Sequence, residues 1–166
     1  LPEAQLDRFM FEIVIEHLSE DEELEVVRST TGILDPEFSH AVTGPDLLAF
    51  QRLVRRVPVS DAVLEYAVRL VRSSRPSTPD PTPDFVEKWV AYGASVRAAQ
   101  YLVLGAKARA LTRGRYHVSF DDIRHLAHPV LRHRVLTNFH AESEGRTSGE
   151  IIDRLLEHVP VPSSGM

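Results

Sequence analysis

Residues 95–113 read SVRAAQYLVLGAKARALTR, and the way this stretch must pack decides the fold. At helical spacing Val96, Ala99, Val103, Ala106 and Ala110 form one flank, and Tyr101, Leu104, Ala108 and Leu111 form another. A helix that is apolar on nearly every side has to be covered by several neighbours. The spacing therefore predicts a central helix from Ser95 to about Arg113, ended by Gly114, inside a mainly helical body.

The neighbours follow on both sides. Downstream, YHVSFDD (116–122) predicts a short extended step, and Ser119 with Asp122 three residues later predicts a capped helix start. Pro129 is expected to interrupt that helix, with VLRHR (130–134) continuing for a turn or two. Thr147 and Glu150 form a further capping box ahead of Ile151, Ile152, Leu155, Leu156 and Val159. Residues 161–166 read as a disordered tail. Upstream, residues 83–91 predict a short helix around Phe85 and Trp89. The proline-rich SSRPSTPDPTP (73–83) predicts a loop. A helix from Ser60 would turn Val63, Tyr66, Ala67 and Leu70 inward and show Asp61, Glu65, Arg69 and Arg72 to water. One from Pro45 would put Leu47, Phe50, Val54 and Val57 on one side. VPVS (57–60) is expected to pair with AVT (41–43) as a minor hairpin, and residues 33–43 read as largely irregular. Ser19 and Glu22 predict a capping box for a helix that stops at Gly32 in the left-handed conformation.

The start of the chain departs from this pattern. In FMFEIVIE (9–16) Phe9, Phe11, Ile13 and Ile15 alternate with the other residues, the period of a half-buried strand. No later segment is long enough to pair with it. Its partners are expected outside this sequence, in a sheet of which 9–16 is one member; in the chain alone it should lie on the helical body or pair with a second copy.

Composition narrows the function. The chain has 166 residues, 43% apolar and 26% charged, with no cysteine. That excludes disulfides and Cys-ligated metal and agrees with a cytoplasmic setting. No apolar run reaches the roughly 18–20 residues of a membrane helix. The net charge of −5 conceals an asymmetry. Residues 16–37 hold Glu16, Glu20, Asp21, Glu22, Glu23, Glu25, Asp35 and Glu37 against Arg28, whereas 97–134 hold eight Lys/Arg against Asp121 and Asp122. This reads either as two ordinary solvated faces or as surfaces through which copies of the chain meet. There is no P-loop, nucleophile elbow, HExxH or dinucleotide fingerprint. His125, His128 and His133, near Asp121 and Asp122, do not make a metal site at this spacing because Pro129 disturbs the helix between them. No exposed recognition pattern for nucleic acid is present.

Two arginines are the candidate functional residues. Arg8, in LPEAQLDRF (1–9), has the permanent charge and planar fork that suit a phosphate; the alternative is a surface pair with Asp7 or Glu3. Arg97 lies in the first turn of the central helix, in line with Tyr101, Leu104 and Ala108. A cation is disfavoured at that helix end unless an anion joins it. The alternative is an arginine that snorkels at the edge of the body.

LPEAQLDRF, GASVRAAQYLVLGAKARALTRGR (93–115) and HVSFDDIRHLAHPVLRHR (117–134) together resemble the MoxR family of AAA+ ATPases, over nearly the whole chain. The resemblance implies a helical-bundle AAA+ lid domain over residues 33–160. Before it would come residues 1–32, a strand and helix left from the C-terminal end of the α/β ATPase core. It implies that the Walker motifs lie upstream and that this stretch alone hydrolyses nothing. It gives Arg8 the position of the arginine finger, acting on a neighbouring subunit, and Arg97 that of sensor 2, within a nucleotide-binding GA-x-PRA-like segment that includes Gly93 and Val96. Val96 stands where that family usually has proline. ATP and Mg2+ would be the cofactors of the full-length protein. Its partners would be further copies in a ring, such as a hexamer, and a client complex remodelled by chaperone-like work, in some cases with a von Willebrand factor A domain protein. The alternatives are a helical protein–protein interaction module with no ATPase role and the lid of a magnesium-chelatase-like subunit.

Overall fold

The computed structural model describes residues 2–33, 38–78 and 82–162. In chain order the elements are α1 (Glu3–Leu6), α2 (Glu20–Thr31), α3 (Gly44–Arg56), α4 (Asp61–Arg72), α5 (Asp84–Trp89), β1 (Val90–Tyr92), α6 (Val96–Thr112), α7 (Phe120–Leu131), β2 (Leu136–Thr137), α8 (Phe139–Ser143) and α9 (Ser148–His158). The central helix is α6. Its Ala98, Leu102, Ala106 and Ala110 are fully buried, and α7, α4 and α3 pack around it. The run of small residues is what lets neighbours come close. A Cβ on Gly105 would lie 2.9 Å from Leu126 Cδ1 and 3.2 Å from Met10 Cε.

Helix starts follow from local chemistry. The capping boxes at Ser19, Ser119 and Thr147 form, and so does one at Thr43 with Asp46, where Pro45 occupies the first turn. Each places a hydroxyl and a carboxylate on backbone N–H groups that the helix leaves unpaired. Helix α4 turns Val63, Tyr66, Ala67 and Leu70 into the core as its spacing requires. The buried core runs from Val57 to Val159, with Tyr66, Leu102, Ile123, Leu131, Ile151, Ile152 and Leu155 among its largest fully buried members.

Several expectations are corrected. Residues 9–16 form no strand. Alternation records which side chains seek cover, but a strand also needs a ladder, and none of the described residues supplies one. As expected for the chain alone, the segment lies on the helical body: the N–H of Glu12 donates to the Pro129 carbonyl at 2.8 Å, while Ile13 and Ile15 are largely exposed. Helix α2 buries none of its residues. Gly32 ends it at φ −83°, extended and not left-handed. VPVS does not pair with AVT; Val118 N–H donates to Pro58 O at 3.3 Å. Pro129 does not interrupt α7, which continues to Leu131. The proline forgoes only the one bond that would run back to the His125 carbonyl. The one sheet among the described residues is the antiparallel pair β1 and β2, with Val90 opposite Thr137 and Tyr92 opposite Leu136. Strands this short carry no readable period.

The basic segment is mostly turned inward. Arg97 and Arg134 bind Asp7, and Arg109 and Arg115 bind Asp122. Arg124 donates to Tyr66 Oη and the Leu156 carbonyl, and Lys107 to the Arg55 carbonyl. Six of the eight bases thus have partners within the chain. Of the expected tail, residues 163–166 lie outside those described, as do 79–81 of the proline-rich loop and 34–37 of the irregular segment.

Candidate functional site at the start of the central helix

Ser95 is extended at φ −76°, and its hydroxyl accepts the N–H of Arg97, opening α6. That cap sets the direction of the first turn. The Arg97 side chain, 40% exposed, reaches across to Asp7 and donates from Nη1 to Oδ2 at 2.8 Å. The Ser95 hydroxyl also faces Asp7, 3.1 Å from each carboxylate oxygen. The residue preceding Arg8 is thus tied to the helix start that carries Arg97, which brings the backbone of Arg8 to the start of α6.

The tie is made rigid from the other side by Arg134. Its side chain is 1% exposed. Nε donates to Asp7 Oδ1 at 2.9 Å, and Nη2 donates to the carbonyls of Asp7 and Phe9 at 2.7 and 2.5 Å. Nη1 donates to the Val130 carbonyl, and the guanidinium lies 5.2 Å from the centre of the Tyr101 ring. A planar fork with five donors is the group that can serve a carboxylate and several carbonyls at once. His133, beside it, donates from Nε2 to the Phe9 carbonyl at 3.1 Å, and Tyr101 Oη donates to the Arg8 carbonyl at 3.0 Å. The backbone of 7–10 is held from two elements. The guanidinium of Arg8, by contrast, is exposed and has no hydrogen bond or ion pair among the described residues. Its expected alternative partners, Asp7 and Glu3, do not hold it; Asp7 is taken by Arg97 and Arg134.

Electrostatics agree with the geometry. Burial acts to raise the Asp7 carboxyl, but the hydrogen bonds from Arg134 and Ser95, with the charges of Arg134 and Arg97, hold it below the ordinary carboxylate value. Burial pushes the His133 imidazole below its ordinary value, against the hydrogen bond to the Phe9 carbonyl, which acts to raise it.

The other two candidates take different places. Gly93 lines a cleft of about 180 Å3 with Glu3, Asp7, Ser95, His133 and Arg134. A Cβ there would lie 2.3 Å from the Ser74 carbonyl oxygen and 2.6 Å from Arg75 Cα. The 93–95 segment is locked to that loop, with Ala94 N–H donating to Ser74 Oγ at 2.9 Å and Arg75 Nε to Ala94 O at 2.8 Å. Gly93 is needed where two backbones meet. Replacing Gly93 with Ala should destabilise the fold by about 1–3 kcal/mol, read as a lowered melting temperature. Gly149→Ala, whose Cβ meets nothing nearer than Thr147 Oγ1 at 3.7 Å, should not; equal melting temperatures for the two variants would refute the close approach. Val96 is 67% exposed and faces away, lining a groove of about 610 Å3 with Arg55, Leu64, Val68 and Leu104.

The histidines are dispersed. His128 Nε2 pairs with Asp153 Oδ1 at 2.8 Å, His125 is exposed, and His133 serves Phe9. Sequence reading missed Asp7 and Arg134 as parts of the site. The signal available was Arg134 at the end of the VLRHR run, where a second charge follows an apolar helix end.

Comparison with known proteins gives one consistent relationship. Residues 84–155 match the family described as AAA lid domain. The chain is 35% identical over 162 residues to Chaperone MoxR1 of Mycobacterium tuberculosis, covering 98% of this chain and 42% of that protein. It is 33% identical over 169 residues to the uncharacterized protein YeaC of Bacillus subtilis, covering 98% of this chain and 48% of YeaC. The crystal structure of a candidate ATPase from Cytophaga hutchinsonii superposes with a TM-score of 0.84 at 32% identity, over 98% of this chain and 49% of that one. The chain thus spans less than half the length of the curated relatives it matches.

Proposed function

The chain belongs to the MoxR family of AAA+ ATPases and carries their lid domain, and from that premise we propose that it serves an ATP-driven machine which remodels or matures a client complex. In this reading residues 1–32 end the ATPase core, 33–160 form the lid, and the full-length protein works in the cytoplasm as a ring of copies. Arg8 is the finger that reaches the γ-phosphate held by a neighbouring copy. Arg97 is the sensor that meets nucleotide phosphate at the start of α6.

The observation that carries the reading is that Asp7, next to Arg8 in the chain, is bound by Arg97 at the start of α6, with the Arg8 guanidinium unpartnered among the described residues and Arg97 in a half-exposed pair. Transferring a phosphoryl group spreads charge over oxygens that need cations held in place beforehand. Arg97 also sits in the first turn of α6, where the helix dipole favours an anion. The residues present fit a phosphate. ATP would supply the transferable phosphoryl group and Mg2+ would neutralise its oxygens; the sequence holds no P-loop, so phosphate cradle and Mg2+ ligands are contributed by other residues. Expressed by itself, this stretch should hydrolyse no ATP.

Replacing Arg97 with Ala in the full-length protein should weaken ATP binding, hydrolysis or both, measured by nucleotide titration and phosphate release. Wild-type values for both would end the assignment. Arg97 is half-exposed, so the melting temperature should hardly move.

A further inference from the structure

Asp7 binds two guanidinium groups that differ in freedom. Arg134 is enclosed, with its donors spread over the Asp7 carboxylate and the carbonyls of Asp7, Phe9 and Val130. It cannot leave without stranding several buried acceptors. Arg97 makes one side-chain contact, to Asp7, and is 40% exposed. If an anion approaches the start of α6, Arg97 is the group that moves. Asp7 then still has Arg134 and the Ser95 hydroxyl, so no buried charge is left alone.

We propose that Asp7 is a positioning residue shared by the two arginines: it parks Arg97 through Oδ2 while no phosphate is bound, and, anchored by Arg134, it fixes the backbone from which Arg8 projects. The inference rests on the reading of Arg97 as a phosphate-binding group. It adds a competition. Phosphate and the Asp7 carboxylate bid for the same guanidinium, so the Arg97 link between the start of α6 and Asp7 is broken when nucleotide is taken up and remade when it is lost, while the Ser95 and Tyr101 contacts to segment 7–8 stay. The residue next to the proposed finger thereby registers occupancy at the proposed sensor.

The test is nucleotide affinity in the full-length protein, using a non-hydrolysable ATP analogue with Mg2+. Asp7→Asn keeps the shape and removes the competing charge. It should tighten analogue binding about two- to fivefold, the span expected of a half-exposed ion pair. Asp7→Asn combined with Arg97→Ala should bind no tighter than Arg97→Ala alone. A purely structural aspartate would give unchanged or weaker binding. That result, with Arg97→Ala still weakening binding, overturns the parking role and leaves the sensor reading intact. If Arg97→Ala leaves affinity unchanged, the sensor reading fails and the inference with it. Should Asp7→Asn not fold, the wild-type protein decides through its arginine Nε–H resonances. Addition of the analogue should shift that of Arg97 and leave that of Arg134 in place; a shift of both, or of neither, overturns the proposal.

Discussion

Replacing Arg8 with Ala in the full-length protein is expected to lower ATP turnover by about 10³–10⁵-fold while nucleotide still binds. The size follows from how the residue is presented. Its guanidinium has no partner among the described residues, so nothing has to be broken before it can reach a phosphate. Its backbone is fixed on both sides: the N–H donates to Gln5 O at 3.1 Å, and the carbonyl accepts from Tyr101 Oη at 3.0 Å. Arg134 and His133 hold the residues either side. A cation carried on a rigid backbone gives up little freedom at the moment of reaction, which is where positioned groups gain their effect. Arg8→Lys should not restore turnover, because an ammonium lacks the planar fork that bridges two phosphoryl oxygens. Folding should be untouched, since the side chain is exposed and has no partner among the described residues. The measurement is steady-state phosphate release beside an independent nucleotide titration. Turnover within a fewfold of wild type in Arg8→Ala would remove the finger assignment. A parallel loss of nucleotide binding would place the residue in its own copy's pocket and not in a neighbour's.

The helical plan was legible because its signals are local. Ser119, Asp122, Thr147 and Glu150 announce helix starts through chemistry confined to four residues, and the apolar flanks of 95–113 announce a central helix without reference to any partner. Two local readings failed, the left-handed Gly32 cap and the break at Pro129; the rest of what was missed depends on distant chain. The alternation of 9–16 reported a face seeking cover, and the lengths of the later segments already argued that no ladder partner lies among the described residues; what local pattern could not give was the contact with Pro129 that holds the segment instead. The pairing of Val90–Tyr92 with Leu136–Thr137 joins segments too short to leave a period. The same divide runs through the candidate site. Arg8 and Arg97 stood out as single residues in odd settings, and resemblance supplied their proposed roles. Asp7 and Arg134 did not stand out, because their meaning is a contact across most of the chain, between the first turn and the loop after α7. The charge count is incomplete for the same reason. Sequence gives the sign of a side chain, not whether a carboxylate waits for it inside.

Asp122 is where that interior pairing should weigh most on stability. Read locally it is the third residue of a capping box, and so it is: it accepts from Ser119 N–H and Oγ, each at 2.9 Å. The fold adds Arg115, with Nη1 donating to Oδ2 at 2.8 Å and Nη2 to Oδ1 at 2.5 Å, and Arg109, whose Nη1 donates to Oδ1. The carboxylate is fully buried, whereas the Arg109 and Arg115 side chains keep 22% and 32% of their exposure. Removing it leaves two guanidinium groups facing each other around an emptied pocket. Asp122→Ala should therefore cost about 3 kcal/mol, the low end for breaking a buried pair because both arginines retain some contact with water. In a chain of this size that corresponds to roughly 6–12 °C in melting temperature. Asp122→Asn keeps the volume and tests the charge alone. Burial raises this carboxyl, but the hydrogen bonds from Arg115, Ser119 and Arg109 outweigh it and hold the group far below the ordinary range. A carboxyl depressed in the folded state contributes stability that is present above its unfolded value of about 4 and lost as the pH falls below it. The gap in stability between wild type and Asp122→Asn should thus be widest near neutral pH and close progressively below pH of about 4. Denaturant titrations at neutral and acid pH measure that gap. A gap that stays constant, or that widens in acid, would show that Asp122 acts through its shape and its cap and not through the two arginines it holds.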